Sequence, residues 1–248
     1  MKYLIGDIGN TSTKICILSK KFQILRSYNF ETSKMYRSNL LKGIIRKKTN
    51  KNLNSVFLFS SVVPKVFANI KKSLKSYKFK VLEIKDFNLN KIIKINIKNK
   101  KNLGSDRIAN AISVKKFKNC IVLDFGTATT FDVIKNGVYE GGVIAPGVKL
   151  SIKNLSQATA LLPSIYLKSN QNNYGKNTIE ALNAGFVWGY EGLINNIIEK
   201  IISKSKIKYK ILLTGGYANF FKKMIKKKVI IDQDITIKGI ANAYKELV

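Results

Sequence analysis

The chain has 248 residues with 45 Lys and Arg, 14 Asp and Glu and no histidine, which gives a formal net charge of +31. Without histidine the chain has no Ser-His-Asp triad, no Cys-His pair and no histidine-ligated zinc site. The two cysteines, Cys16 and Cys120, stand far apart and in no CxxC pattern, which argues against a disulfide scaffold or a zinc ribbon and favours a cytoplasmic setting.

The first hundred residues alternate apolar runs with turn-rich segments, which predicts strands and helices of an α/β protein. Pro64 follows two serines and is typical of the first turn of a helix. Residues 85–102 are polar and rich in lysine, so we expect a loop there. The predicted strands are 3–5, 14–18, 22–30, 55–59 and 79–84, and the predicted helices are 34–48 and 64–76.

The same alternation begins again after residue 105. The apolar run 120–123 ends in Asp124, and Asn136-Gly137 favours a type I′ turn between two strands. The predicted strands are 120–123, 131–134, 138–143, 211–213 and 228–231, and the predicted helices are 106–117, 147–159, 178–203 and 236–247, with a further helix after residue 218.

Two segments share the pattern Asp-x-Gly-x-x-x-Thr, namely residues 7–13 and 124–130. Each follows an apolar strand and leads into another strand. Aspartate and glycine favour turns anyway, so turn formation alone would explain one copy. Two copies predict a duplicated α/β protein with a cleft between its domains, residues 1–104 and residues 105–248.

The first copy, extended to residue 14, has the composition of a phosphate-binding turn. A glycine-centred hairpin exposes backbone N–H groups, the hydroxyls of residues 11–13 are further donors, and Lys14 adds charge. Asp7 can hold Mg²⁺ through water, because Mg²⁺ retains much of its hydration shell. The pattern GxxxxGK[ST] is missing, so this is not a Walker A loop. The glycines of TGGYA at 214–218 let a backbone approach a flat ring, although two glycines after a strand are common.

Gly104-Ser105-Asp106-Arg107 places an acid next to a cation. In phosphoryl transfer such an acid can accept the proton of an attacking hydroxyl, and arginine can hold an anionic group with its fork of donors. The same residues also suit a helix start, with Ser105 or Asp106 as the cap. Both interpretations can hold together.

Eight segments, in order along most of the chain, match one family. They are DIGNTSTK (7–14), SSVVP (60–64), LGSDRIANA (103–111), DFGTATTFDV (124–133), GGVIAPG (141–147), LSQATALLP (155–163), NTIEALNAG (177–185) and LLTGGYA (212–218). With them the sequence closely resembles type III pantothenate kinases, of the acetate kinase, sugar kinase, Hsp70 and actin superfamily. The resemblance implies duplicated ribonuclease H-like domains of the actin-like ATPase type, with a cleft between them.

The resemblance also implies ATP-dependent phosphorylation of pantothenate at its primary hydroxyl, the first step of coenzyme A biosynthesis, by a homodimer. ATP is expected with Mg²⁺ and with a monovalent cation, K⁺ or NH₄⁺. Asp106 would be the general base, and Asp124 would bind the monovalent cation. The residues expected to bind ATP are Asp7, Ile8, Gly9, Asn10, Thr11, Ser12, Thr13, Lys14 and Thr127, and those expected to bind pantothenate are Gly104, Ser105, Asp106, Arg107 and Thr178.

The chain departs from the family pattern just before Gly104. Family members usually have a substrate-contacting tyrosine and then a proline a few residues before Gly-x-Asp-Arg, whereas this chain has Ile97 and Lys100. Loss of the tyrosine hydroxyl would weaken affinity for the substrate without touching the base or the phosphate loop.

The net charge of +31 also suits a basic groove for nucleic acid. Lysine, isoleucine and asparagine are abundant along the whole chain, however, as in residues 90–102, and the basic residues are not confined to one arm. We interpret the charge as a compositional bias and expect no nucleic-acid partner. No targeting segment and no run of about 18 apolar residues is visible, so no membrane association is expected.

Three other functions compete with this interpretation. A sugar or acetate kinase of the superfamily would usually be longer and would lack the Gly-x-Asp-Arg and NTIEALNAG segments together. A regulatory, DNA-associated family member without catalysis would suit the charge, but Asp7, Asp106 and Asp124 are all present. An actin-like filament protein would need a polymerisation insert, and the sequence has no visible one.

Overall fold

The computed structural model describes residues 1–36, 39–47, 52–75, 77–169 and 173–248. Its contacts divide the chain into two compact units. The first comprises Met1–Lys116, Gly137–Tyr139 and Asp234–Val248, and the second comprises Phe117–Asn136 and Glu140–Gln233. The boundary that we placed between residues 104 and 105 came from the repeated sequence pattern, and it stays a prediction.

Five strands form the sheet of the first unit: Lys2–Ile8 (β1), Ser12–Leu18 (β2), Ile24–Glu31 (β3), Leu53–Ser61 (β4) and Lys80–Glu83 (β5). Their order across the sheet is β3-β2-β1-β4-β5. The central strand β1 pairs antiparallel with β2 and parallel with β4, and β5 pairs parallel with β4. Consecutive residues of β1 and β4, such as Leu4 and Ile5, are buried, as expected for strands covered on both faces.

A short strand, Lys94–Ile95 (β6), pairs with Val138 and Tyr139, which also belong to the first unit. The other strands of this sheet are Cys120–Phe125 (β7), Ala128–Lys135 (β8), Val138–Pro146 (β9), Lys210–Gly215 (β10) and Val229–Ile231 (β11), and all of them except the first two residues of β9 lie in the second unit. The order across the sheet is β11-β10-β7-β8-β9-β6. Strand β7 pairs antiparallel with β8 and parallel with β10. It takes the place of β1, so the second sheet repeats the strand order of the first.

Seven α-helices accompany these sheets in the described residues. The first unit holds Asn39–Arg46 (α1), Pro64–Lys75 (α2), Ser105–Ser113 (α3) and Ile235–Leu247 (α7), and the second unit holds Val148–Ala158 (α4), Thr178–Ser205 (α5) and Ala218–Phe221 (α6). Helix α2 begins at Pro64 as predicted and buries Val66, Ile70 and Leu74 at helical spacing. In the described ranges, no helix has the length and apolar character needed to cross a membrane.

Helices α3 and α7 pack closely against each other. A Cβ atom placed on Gly239 of α7 would lie 1.8 Å from the carbonyl oxygen of Ala109 in α3. One turn away, the Thr236 hydroxyl donates a hydrogen bond to Asn110 Oδ1 at 2.8 Å. The position of α3 in the first unit is therefore fixed by a helix that follows it by more than a hundred residues.

Most predicted elements are confirmed, and the differences are local. The predicted helix 34–48 is a 3₁₀ turn at Thr32–Tyr36 followed by α1, and its residues 37–38 and 48 lie outside the described residues. The loop expected at 85–102 contains 3₁₀ turns and β6, because asparagine side chains and backbone groups close short local turns there. Asn136 and Gly137 both have positive φ, 52° and 76°, as a type I′ turn requires.

Candidate active site

The first Asp-x-Gly segment forms a tight turn between β1 and β2. The Gly9 N–H donates to the Ser12 carbonyl at 3.0 Å, and Asn10, Thr11 and Ser12 are exposed. Exposed N–H groups and hydroxyls in such a turn can receive a phosphate. The side chain of Ile8 is fully buried, so only its backbone is available to a ligand.

Thr13 stabilises this turn from inside the protein. It is fully buried, and its Oγ1 lies 3.0 Å from Oγ1 of Thr32. Thr32 in turn donates to the carbonyl of Gly9 at 2.6 Å. The hydroxyl of Thr13 therefore shapes the turn, and a contact between Thr13 and ATP would have to come from its backbone.

Lys14, Asp7 and Ser60 point to the same face of the first sheet, because they are paired in register across β2, β1 and β4. Lys14 Nζ donates to Asp234 Oδ1 at 2.6 Å, and this ion pair is partly buried. The predicted phosphate-binding lysine thus shares its charge with a carboxylate at the start of α7. The sequence pattern around residue 14 contains no sign of this pairing.

The same row of side chains fits a Mg²⁺ ion that is bound together with phosphate. The Ser60 hydroxyl is fully buried and has no hydrogen-bond partner in the part of the chain that the structure describes. It lies beside the carboxylate of Asp7, which gives an all-oxygen donor set. Mg²⁺ is commonly held by one or two carboxylates plus substrate phosphates. No group of three or more Cys, Asp and Glu side chains among the described residues forms a closed metal cage.

Asp106 lies in the first turn of α3. Its Oδ1 accepts the backbone N–H of Arg107 at 2.8 Å, so the carboxylate is held at the N-terminal end of the helix, where a negative charge is stabilised. A Cβ atom on Gly104 would lie only 2.4 Å from Asp106 Oδ1. A side chain at position 104 would therefore displace the Asp106 carboxylate from this position, and the glycine leaves room for it to fold back over the helix end. The helix starts here as predicted, but its N-cap is Gly104 and not Ser105 or Asp106, and among the described residues no side chain makes a capping hydrogen bond.

Ser105 connects α3 to the sheet. Its hydroxyl is fully buried and lies 3.1 Å from the carbonyl of Ser61 at the end of β4. It also donates to the carboxylate of Glu83 at the end of β5. The side chain of Ser105 is thus occupied inside the first unit, and a contact between Ser105 and pantothenate would involve its backbone.

Arg107 is packed against an aromatic ring. Its guanidinium carbon lies 5.9 Å from the ring centroid of Tyr139, which is 1% exposed. Tyr139 is itself held by the Asn96 N–H, which donates to its carbonyl at 2.8 Å. The predicted substrate-binding cation therefore rests on a rigid surface in the first unit.

In the second unit, two glycine motifs approach the second Asp-x-Gly segment. The Gly216 N–H donates to the carbonyl of Phe125 at 3.0 Å. A Cβ atom on Gly147 would lie 2.0 Å from the carbonyl oxygen of Thr127. Asp124 is half-buried and Thr127 is exposed. The structure therefore brings the TGGYA and GGVIAPG segments to the turn that carries Asp124 and Thr127.

Thr178 is the first residue of α5 and also belongs to the second unit, whereas residues 104–107 belong to the first. Asn177 caps this helix by accepting the Glu180 N–H at 3.0 Å. Thr178 lines an apolar cavity of about 300 Å³ together with Leu155, Leu162, Ala181, Leu182, Gly185 and Phe186.

The cysteines take no part in this chemistry. Both are buried, and burial raises the pKa of the Cys120 thiol to about 12 and also raises the pKa of Cys16. A thiol with a raised pKa is a poor nucleophile near neutral pH, because the thiolate is the reactive form.

Sequence reasoning missed three residues that contact the predicted site residues. Glu83 contacts Ser105, Tyr139 contacts Arg107, and Asp234 pairs with Lys14. None of them belongs to a glycine-rich motif. Only the scarcity of acids in this chain could have directed attention to Glu83 and Asp234.

Comparison with known proteins gives two results at the level of sequence. A sequence profile of the family described as type III pantothenate kinase matches residues 3–200. A type III pantothenate kinase from Pelagibacter ubique (strain HTCC1062) is 50% identical over 243 residues, which cover 97% of this chain and 97% of that protein.

Two solved structures share the fold. A Campylobacter jejuni protein described as a conserved Baf family transcriptional activator has a TM-score of 0.63 at 22% identity, covering 98% of both chains. A Sinorhizobium meliloti protein described as a 2-dehydro-3-deoxygalactonokinase has a TM-score of 0.62 at 10% identity, covering 98% of this chain and 97% of that one. At such low identities, the structural similarity shows the fold alone. It confirms the predicted class of duplicated ribonuclease H-like α/β units. Since the family profile spans most of the chain and a relative matches half of its residues over nearly the full length, the chain belongs to the type III pantothenate kinase family.

Proposed function

We propose that this chain transfers the γ-phosphoryl group of ATP to the primary hydroxyl of pantothenate, with Asp106 as the general base. Membership of the family supports the reaction. The observation that carries the role of Asp106 is its carboxylate, held at the start of α3 by the Arg107 N–H and accommodated by Gly104. A positioned carboxylate beside a cation is what a hydroxyl nucleophile needs, since phosphoryl transfer depends on orientation and charge neutralisation.

In this proposal, Arg107 binds the carboxylate of pantothenate and Asp106 accepts the proton of its hydroxyl as the bond to phosphorus forms. The backbone of residues 104 and 105 and the side chain of Thr178 are the further contacts to pantothenate. The turn of residues 7–14 binds the phosphates of ATP, and Thr127 contacts the nucleotide. When bound with ATP at Asp7, Mg²⁺ supplies positive charge to the phosphates.

The general base is tested with Asp106→Asn. The amide has the size of the carboxylate and no basic oxygen, so kcat should fall by roughly 10²-fold or more. Circular dichroism and ATP binding should remain close to those of the wild type. A folded Asp106→Asn enzyme with near wild-type turnover would rule out this role.

Asp124 is proposed to bind K⁺ or NH₄⁺, because it is the half-buried carboxylate of the second Asp-x-Gly turn, beside exposed Thr127. We expect most of the activity to disappear when Na⁺ replaces both cations and to return when K⁺ is added. A coupled ADP-release assay with pantothenate measures this. Asp124→Asn should abolish the K⁺ stimulation, and full activity in Na⁺ alone would contradict the assignment.

We further propose a cytoplasmic homodimer. Large apolar side chains of the second unit are exposed, among them Leu161 at 90%, Tyr166 at 96% and Ile179 at 58%. Exposed apolar groups of this kind commonly mark a protein interface. A second copy of the chain is the partner that family membership favours, and most soluble oligomers are symmetric homo-oligomers.

A further inference from the structure

We propose that Glu83 is a positioning residue for the general base, acting through Ser105. This inference rests on the proposed function of Asp106. Glu83 does not touch the substrate in this proposal. It fixes the first turn of α3, which carries Asp106 and Arg107 as the next two residues after Ser105.

The contact between Glu83 and Ser105 joins two elements that are distant in sequence. Glu83 is the last residue of β5, and Ser105 is the first residue of α3. The Ser105 hydroxyl is fully buried and donates to Oε1 of Glu83. Its second neighbour is the Ser61 carbonyl at 3.1 Å, at the end of β4. The single proton of this hydroxyl goes to Glu83 at the end of β5, and its oxygen lies close to the end of the adjacent parallel strand β4.

The Glu83 carboxylate is oriented by its own surroundings. Its Oε2 accepts the Lys85 N–H at 3.3 Å, while the Glu83 N–H donates to Asp86 Oδ2 at 2.9 Å. These bonds form a capping box around the 3₁₀ turn Ile84–Asp86. An acceptor held in this way gives Ser105 a fixed partner, which a solvated surface glutamate would not.

Ser105 is also the side chain that ties this helix start to the sheet. Gly104, the N-cap, has no side chain to make a capping hydrogen bond. The Asp106 carboxylate bonds within its own turn, by accepting the Arg107 N–H. Loss of the Glu83 contact would thus remove the side-chain hydrogen bond between this turn and β5 and allow a small displacement of the turn. An error of about 1 Å in a catalytic group can cost about 10²-fold in rate.

Burial supports this interpretation of Glu83. It raises the pKa of the Glu83 carboxyl above its ordinary value, while the hydrogen bond from Ser105 and the charge of Lys85 act in the opposite direction. The carboxyl has therefore lost much of its hydration, and Ser105 is the side-chain donor that compensates for this loss.

Four variants test the proposal: Glu83→Ala, Glu83→Gln, Ser105→Ala and the double variant Glu83→Ala/Ser105→Ala. Removing the acceptor should lower kcat for pantothenate by about tenfold with little change in KM for ATP. Glutamine retains an oxygen acceptor and should keep at least about a third of the wild-type kcat, since the hydrogen bond survives. Because Glu83 acts through Ser105, Glu83→Ala should change kcat by less than about twofold when Ser105 is already alanine.

Glu31→Ala is the matched control, because this exposed glutamate at the end of β3 has its ion pair with Lys34 at the surface. It should leave kcat unchanged. Wild-type kcat in Glu83→Ala, or additive losses in the double variant, would overturn the proposal. Should Glu83→Ala not fold, Glu83→Gln in the wild-type and Ser105→Ala backgrounds takes its place, and a larger loss for Glu83→Gln than for Ser105→Ala would overturn the proposal. Failure of the proposed function is a different result, in which the wild type does not phosphorylate pantothenate or Asp106→Asn retains turnover.

Discussion

The contact between Arg107 and Tyr139 is an example of how single residues build this site. The guanidinium carbon lies 5.9 Å from the centroid of a ring that is 1% exposed, so the ring is held in the core of the first unit. A cation held over an aromatic face is stabilised by about 0.5–2 kcal/mol, more when it is shielded from water. We expect the ring to keep the guanidinium oriented toward the anionic end of the substrate.

Tyr139→Leu should therefore raise KM for pantothenate by roughly three- to tenfold, since the apolar side chain has no π face for the cation. Tyr139→Phe keeps the ring and should stay within about twofold of the wild type. Steady-state kinetics with pantothenate as the varied substrate measure this. Thermal unfolding of both variants controls for the loss of packing in the leucine variant. An unchanged KM in folded Tyr139→Leu would contradict the role of the ring.

At this scale the sequence predicted the members of the motifs but not their partners. Gly104, Asp106 and Arg107 lie within four consecutive residues, so the local sequence alone indicated a helix start with an acid and a cation. Glu83 and Tyr139 lie 22 and 32 residues from the groups that they contact. Only the folded chain brings such pairs together, and no local pattern records them.

At the scale of elements, the crossing of α3 and α7 controls where Asp106 lies. Gly239 of α7 lies so close to the backbone of Ala109 in α3 that no side chain fits between the two residues. Since α3 is also fastened to the sheet through Ser105, a displacement of α7 would be passed on to the turn that carries Asp106.

Gly239→Ala should force the helices apart. We expect a loss of about 1–3 kcal/mol in the free energy of unfolding and a fall in kcat, because overpacking shifts the backbone. Gly43→Ala is the matched control, since Gly43 lies in α1 with no atom within 4 Å of an added Cβ. It should be neutral or stabilise the protein by up to about 1 kcal/mol. Urea unfolding and kcat measure both variants, and equal stability of the two would contradict the packing argument.

Strands and helices were predictable where apolar periodicity is strong, as in β7 and α5. The strand order was foreshadowed by the two Asp-x-Gly segments, because each stands between an apolar strand and its antiparallel neighbour. The structure of residues 85–102 could not be predicted, because their short turns have no hydrophobic periodicity in the sequence. The packing of α3 against α7 could not be predicted either, because an amphipathic pattern shows that a helix has a buried face but not which helix covers it.

At the scale of the whole molecule, the exposed apolar residues of the second unit and the net charge of +31 affect association in opposite ways. Apolar burial favours a dimer, whereas a large positive charge on each copy opposes it. At about 0.15 M salt the Debye length is about 8 Å, so repulsion between distant charges is largely screened. We therefore expect apolar contacts to decide the oligomeric state under those conditions.

Ile179→Asp combined with Leu161→Asp should convert the dimer to a monomer by weakening the Kd by roughly 10²-fold or more, because two charges would be buried at the interface. Leu25→Asp is the matched control, as Leu25 is 50% exposed in the first unit. Sedimentation equilibrium in 0.15 M salt distinguishes the states. A dimer that survives the double substitution, or a wild type that is monomeric at all accessible concentrations, would contradict the proposed interface.

The first unit is built from segments at both ends of the chain, and this affects how the protein folds during its synthesis. This unit includes residues 1–116 but needs residues 234–248 to complete it, because α7 covers α3. About 120 residues separate the end of α3 from the start of α7, and their translation takes on the order of ten seconds at bacterial rates. During that interval the face of α3 that holds Ala109 and Asn110 has no α7 to cover it. Residues 117–233, by contrast, contain the whole of the second unit, together with residues 137–139 of the first. We therefore expect the second unit to fold before the first unit in the nascent chain, because the first unit is complete only when α7 has been synthesised.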